Sequence, residues 1–248
     1  MSRLSEALAG EKKKLLAYIV AGDPNRDATL HLMHDMVSSG VDAIELGVPF
    51  SDPEAEGPVI QLAHERALRS NTSLEHCLGI VRDFRKTDCR TPVILMGYLN
   101  PVESMGYERF ANRAANSGVD GLIIVNLPPE EASVLKESLS NNSLDLIYLV
   151  APTTTQQRME MICSESSGFV YYVSLKGTTG AGTLNVKEVE CKLEQLRSAS
   201  NLPILVGFGI KNGETAAAIG ALSDGVVVGS AIVDLIAKQK SDLGNEDV

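Results

Sequence analysis

The chain has 248 residues, 44% of them hydrophobic and 22% charged, with no Trp, which is enough for a large core in one or two domains. A formal net charge of −10 argues against non-specific nucleic-acid binding, which needs clustered Lys and Arg; the basic run Lys12 to Lys14 is short and reads as a solvated face. No apolar run approaches the ~18–20 residues that cross a bilayer, and the N-terminal MSRLSEALAGEKKK lacks the apolar segment of a secretory leader, so a cytoplasmic protein without a membrane span is expected.

The N-terminal stretch is polar and helix-like. LLAYIVAG at 15–22 predicts the first strand, and DATLHLMHDMVSSG at 27–40 a helix with apolar positions three and four apart. VDAIELGV at 41–48 reads as a second buried strand, yet it carries Glu45 and runs into a Pro-rich loop, PFSDPEAEGP, that holds Asp52, Glu54 and Glu56. Further strands are predicted at 92–99, 119–126, 144–151, 168–175, 203–210 and 224–231. PEEASVLKESLS at 129–140 and GETAAAIGALSD at 213–224 are amphipathic segments between them.

Near-continuous apolar strands alternating with helices indicate parallel strands covered by helices. Eight such units predict an α/β protein, a single (β/α)8 TIM barrel with an additional N-terminal helix, as one domain over 1–248. The alternative is an open doubly wound sheet. That fold usually opens on a Gly-rich loop, whereas the first loop here, AGDPN, has one Gly and no GxGxxG. Ser-Gly-Val-Asp at 39–42 and 117–120, echoed by Ser223-Asp224-Gly225, marks a recurring helix stop followed by a strand start.

The four cysteines are widely spread without a CxxC, which predicts reduced thiols. His31 and His34 are three apart on a predicted helix, but no third ligand is near, so no metal site is expected.

In a barrel the chemistry collects at the C-terminal ends of the strands. Period-two alternation puts Glu45 on the same face as Ala43 and Gly47, whose small size leaves room inside the barrel. A buried carboxyl tends to have a raised pKa, which suits a general acid or base; the structural alternative is a Glu paired with a Lys or Arg. Asp52 and Glu54 read by default as solvated or turn-forming. Toward the C-terminus, Gly207, Gly209, Gly229 and Ser230 are expected on neighbouring loops after the last two predicted strands, where glycines admit a ligand to the backbone and a helix start after Ser230 favours an anion. KGTTGAGT at 176–183 is polar and Gly-rich, as a lid would be. Together these parts suggest a small phosphorylated substrate whose other end reaches Glu45.

The stretch IELGVPFSDPEAEGPVIQ closely resembles the signature segment of the tryptophan synthase α subunit family. The likeness continues in order through AGDPN, LMGYLNP, GVDGLIIVNLPPEE, YLVAPTTT, YYVSLKGTTGAG, GFGI and GSAIV, over essentially the whole chain. The resemblance implies a (β/α)8 lyase that cleaves indole-3-glycerol phosphate to indole and glyceraldehyde 3-phosphate. It further implies that indole passes to a β subunit in an αββα heterotetramer, with pyridoxal phosphate in that partner and no cofactor in this chain. By the same resemblance Glu45 matches the family's acid/base glutamate, Glu56 its second acid, and Tyr171 a tyrosine near the cleaved bond. Gly180, Gly209, Gly229 and Ser230 match the phosphate pocket; Tyr18, Ile60 and Tyr98 match positions around the indole ring; Thr179 matches a lid threonine.

Two departures stand out. Relatives typically read SDPxADGP where this chain has SDPEAEGP, so the carboxylate of Glu56 stands on a side chain longer by one methylene. Asn126 replaces a common Asp, keeping the shape and losing the charge, and is expected to affect loop closure or partner contacts. These departures leave two alternatives beside an active lyase: an α-like subunit that mainly binds and activates its β partner, and a lyase that works without a partner.

Overall fold

A computed structural model describes residues 2–173, 186–207 and 209–243. Among the described residues nine strands form one parallel sheet: β1 (Lys14–Val20), β2 (Ala43–Gly47), β3 (Val93–Gly97), β4 (Gly121–Ile124), β5 (Asp145–Ile147), β6 (Leu149–Val150), β7 (Val170–Val173), β8 (Ile204–Gly207) and β9 (Gly225–Val228). Their order is β5-β4-β3-β2-β1-β9-β8-β7-β6. The two end strands are separated in the chain by Tyr148 alone, so the sheet closes into the expected barrel rather than an open doubly wound sheet.

The fifth predicted strand is the one place where the strand count differs. Residues 144–151 divide at Tyr148: β5 pairs with β4 and β6 with β7, so one chain segment serves two neighbours in turn. The other seven predicted strands are observed one for one, each ending earlier than its apolar run wherever the chain is described.

Side-chain alternation sorts the core into two layers. Leu16, Tyr18, Val20, Ala43, Ile94, Met96, Ile123, Ile147, Tyr171, Leu205 and Val227 pack together inside the barrel. The intervening residues, such as Ile19, Ile44, Leu95, Leu122, Val170 and Val206, pack outward under the helices. The N-terminal helix Arg3–Leu8, capped by Ser2, adds Leu4 and Leu8 to the inner cluster beside Phe169, where they close one end of the barrel.

The recurring Ser-Gly-Val-Asp has a shared structural purpose. Gly40 (φ 97°) and Gly118 (φ 86°) adopt the left-handed conformation that ends their helices and turns the chain into a strand. The aspartate that follows then accepts a backbone N–H from the preceding strand: Asp42 from Leu15 at 2.9 Å, and Asp120 from Val93 at 2.8 Å. Asp224 does the same for Ile204 at 2.8 Å, so these carboxylates stitch the strand starts together. Asp120 is also gripped by Arg3 and Arg85, each at 2.7 Å, which neutralises its buried charge.

Candidate active site

At the opposite end of the barrel, register decides which side chains meet. Glu45 is paired across the sheet with Tyr18 on β1 and Ile94 on β3, and it points into the barrel with Ala43 and Gly47. It is 1% exposed, and among the described residues neither carboxyl oxygen has a hydrogen-bond partner. Among the described residues, then, no Lys or Arg is paired with Glu45. Burial, and then the nearby Glu56, push its pKa up to about 8, so at neutral pH the carboxyl keeps its proton. A protonated carboxyl in an apolar barrel is a ready proton donor.

Glu56 is the only one of the three loop acids drawn inward. Asp52 and Glu54 are exposed, as the default reading has them, while Glu56 is 2% exposed. Tyr98, the residue after β3, donates its hydroxyl to Glu56 Oε2 and accepts the Ala55 N–H at 2.9 Å. Its ring stacks on Phe50 with centroids 4.7 Å apart. Gln61 holds the Glu56 carbonyl at 2.9 Å. Burial raises the pKa of Glu56, while the hydrogen bond from Tyr98 works the other way by favouring the charged form. Tyr98 is thus a clamp on the acid loop.

Two glycines make notches for two tyrosines. A Cβ at Gly47 would collide with the Tyr18 hydroxyl and lie 2.8 Å from its Cζ, and a Cβ at Gly207 would lie 2.6 Å from the Cζ of Tyr171. Gly207 is accordingly the buried last residue of β8, a correction to its expected place on a loop at a ligand. Gly47→Ala is expected to cost ~1–3 kcal/mol by overpacking against the buried ring of Tyr18. Urea unfolding would show it as a lower midpoint at unchanged m-value.

The helix Pro58–Arg69 closes the side of the site. Ile60 packs against the inner cluster. Arg66 grips the buried Asp23 in a bidentate pair, Nε to Oδ1 at 2.7 Å and Nη2 to Oδ2 at 2.8 Å, which ties this helix to the loop after β1. His64, buried on the same helix, is a residue that sequence reasoning missed. Its signal was faint: it occupies an otherwise apolar stripe with Ile60, Ala63 and Ala67.

The residues expected at an anion rim lie as follows. Gly209 (φ 76°) turns the chain after β8, and Gly229 leads from β9 into the helix Ser230–Leu243, with exposed Ser230 as its first residue. Because β8 and β9 are neighbours, these three residues come together on one sector of the barrel mouth. Thr179, Gly180 and the rest of the predicted lid lie outside the described residues. Asn126 is exposed after β4; its Oδ1 accepts the Leu99 N–H at 2.8 Å and its Nδ2 reaches Asn100 Oδ1 at 3.5 Å. The acceptor that an Asp would supply is kept, and the amide adds a donor that an Asp lacks.

No group of three or more His, Cys, Asp or Glu among the described residues is placed to hold a metal ion, and no helix there is long and apolar enough to cross a membrane. All four cysteines are free thiols.

Comparison with known proteins gives one consistent picture. The family model for the tryptophan synthase alpha chain matches residues 4–247. A tryptophan synthase alpha chain of Marinobacter nauticus is 54% identical over 98% of this chain and 91% of its own length. The crystal structure of a tryptophan synthase subunit alpha from Legionella pneumophila superposes with a TM-score of 0.91 at 47% identity, covering 98% of this chain and 91% of that one. A chain in the crystal structure of a tryptophan synthase complex from Pyrococcus furiosus gives 0.82 at 34% identity, covering 91% and 90%.

Proposed function

The chain belongs to the tryptophan synthase alpha chain family, whose reaction is the cleavage of indole-3-glycerol phosphate, and we propose that Glu45 and Glu56 carry that chemistry here. The protein is a carbon–carbon lyase of tryptophan biosynthesis. The observation that supports these roles best is a pair of buried carboxyls in contrasting settings: Glu45 protonated and without partners on its strand, Glu56 hydrogen-bonded to Tyr98 on a loop. Environments that push two carboxyls apart are how acid and base roles are divided.

The cleavage is a retro-aldol. Glu45 gives its proton to C3 of the indole ring, which becomes an indoleninium able to accept the electron pair of the breaking bond. The adjacent chain hydroxyl loses its proton to the carboxylate so formed, its carbon becomes the aldehyde of glyceraldehyde 3-phosphate, and the electron pair of the broken bond restores the aromatic indole. Glu56 stabilises the positive charge that gathers at the indole N–H through a charge-assisted hydrogen bond. Tyr18, Ile60 and Tyr98 bound the indole end, and Tyr171 lies near the cleaved bond. Gly209, Gly229 and Ser230, with Gly180, receive the phosphate, which the start of the helix Ser230–Leu243 favours. Thr179 and Asn126 belong to loop closure over the substrate.

These steps draw on side chains of this chain alone; pyridoxal phosphate is assigned to a β partner, which receives the indole in an αββα assembly of the cytoplasm. Support for the assembly comes from the similarity to a chain of the Pyrococcus furiosus complex.

The experiment is indole release from indole-3-glycerol phosphate by the purified chain, with and without a cognate β subunit. Strong stimulation by the partner is expected. Activation of the β subunit without any indole release would instead indicate a binding subunit, and full activity with no stimulation a partner-free lyase.

A pH profile follows from Glu45. Its acid form must be present when substrate binds, so kcat/KM should fall as pH rises through about 8, where the buried carboxyl ionises. A flat profile to well above that value would remove Glu45 from the proton-donor role.

A further inference from the structure

His64 is 1% exposed and spends both ring nitrogens on groups at the site. Its Nδ1 accepts the Phe50 N–H at 3.0 Å, and its Nε2 lies 3.4 Å from the hydroxyl of Tyr18. A backbone N–H can only donate, so Nδ1 carries no proton. Burial lowers its pKa and holds the imidazole neutral. The remaining ring proton is therefore on Nε2, directed at Tyr18, and Tyr18 is the acceptor of that contact. Its own O–H is left to donate elsewhere.

What lies near Tyr18 gives this a chemical meaning. Tyr18 and Glu45 are register partners on the inner face, and the missing side chain of Gly47 lets the hydroxyl lie there. Protonated Glu45 has no hydrogen-bond partner among the described residues, but once it has given up its proton it is a buried carboxylate that needs a donor. We propose that His64 is a positioning residue: it fixes the Tyr18 hydroxyl as a donor to the Glu45 carboxylate formed during cleavage, and through Phe50 it ties that orientation to the loop carrying Glu56. The proposal rests on the assignment of Glu45 as proton donor. It adds no new proton transfer, since His64 and Tyr18 keep their protons throughout. Phe50 stacks on Tyr98, which holds Glu56, so one imidazole spans the supports of both acids.

The two functions of the ring can be separated by substitution. Asn at 64 offers its Oδ1 near the place of Nδ1 and preserves the Phe50 contact, but its amide does not reach Tyr18. Gln at 64 brings an amide donor near the place of Nε2 and gives up the Nδ1 acceptor. Steady-state indole release would be measured for His64→Asn, His64→Gln, Tyr18→Phe and the double variant His64→Asn/Tyr18→Phe, with thermal unfolding of each. His64→Asn and Tyr18→Phe are each expected to lower kcat ~10-fold with KM held within about twofold, the pattern of a lost transition-state interaction. In the double variant the loss should equal that of Tyr18→Phe alone, because the histidine acts through the hydroxyl. His64→Gln should keep most of kcat and raise KM, and it supplies the test if His64→Asn does not fold.

Additive losses in the double variant, a His64→Asn enzyme with wild-type kcat, or a His64→Gln enzyme as slow as Tyr18→Phe would each overturn the proposal. Glu45→Gln is run beside them: if it retains wild-type activity, the assignment of Glu45 fails and takes the proposal with it. If Glu45→Gln is inactive and the His64 variants behave as wild type, the proposal alone fails.

Discussion

Glu45→Gln is expected to lower the rate of indole formation ~10²–10⁴-fold, the usual contribution of a positioned general acid, while making the folded protein more stable at neutral pH. The two effects share one cause. Glu45 is buried without a hydrogen-bond partner among the described residues, and its pKa is raised from 4.5 to about 8. Between those values the unfolded chain has released the proton that the folded chain still binds, so stability falls as pH rises through this window, by about 1.4 kcal/mol per unit at the limiting slope. Below pH 4.5 both states are protonated and the cost is absent; above about 8 it is at its full value. Gln has nearly the same shape and no charge to suppress. The variant should therefore show a higher Tm than the parent at pH 7, with the difference shrinking toward pH 4. Indole release combined with thermal unfolding at the two pH values checks both halves. An active variant would sink the catalytic role, and an inactive one with the same Tm difference at both pH values would sink the account of why the site is costly to keep.

The second large effect is expected at Glu56. Glu56→Asp in this chain is expected to reduce kcat/KM ~10²-fold, because the carboxylate is held at its present position by the Tyr98 hydroxyl. Tyr98 is itself held by the Ala55 N–H and by stacking on Phe50, so the clamp is built for the longer side chain. Removing one methylene withdraws the carboxylate by about 1 Å or more, the scale of displacement that costs such factors in rate. Tm should change little, since the loop backbone keeps its hydrogen bonds from Gln61 to the Glu56 carbonyl and from Ala55 to Tyr98. Steady-state kinetics on the variant decide the matter. A marked gain in rate would mean that Glu56 is a weakened acid and that the loop accommodates Asp without help.

Much of the architecture was legible because buried parallel strands need long apolar runs and the helices between them need a polar face, patterns written locally. The Ser-Gly-Val-Asp repeats were legible for the same reason: Gly40 and Gly118 supply a backbone conformation that other residues adopt poorly. The division of the fifth strand at Tyr148 was not, since nothing in the apolar run that follows Asp145 marks a break and only the partners on either side decide that its halves pair differently. The separate fates of Asp52, Glu54 and Glu56 were also beyond a local reading. All three sit in one short polar loop, and what draws Glu56 inward is Tyr98, which is 42 residues away in the chain.

By itself the sequence determined that the chain forms a (β/α)8 barrel and that Glu45 faces its interior, since two-residue alternation leaves a strand side chain only two directions. It also determined the family, through motifs that run from one end of the chain to the other. Tertiary structure alone decided the protonation of Glu45, the clamp on Glu56 and the tautomer of His64. Each depends on desolvation or on a donor brought from a distant segment: Tyr98 for Glu56, and the Phe50 N–H together with Tyr18 for His64. A side chain's charge and proton position are set by its surroundings in space, and those surroundings come into being only when the barrel closes.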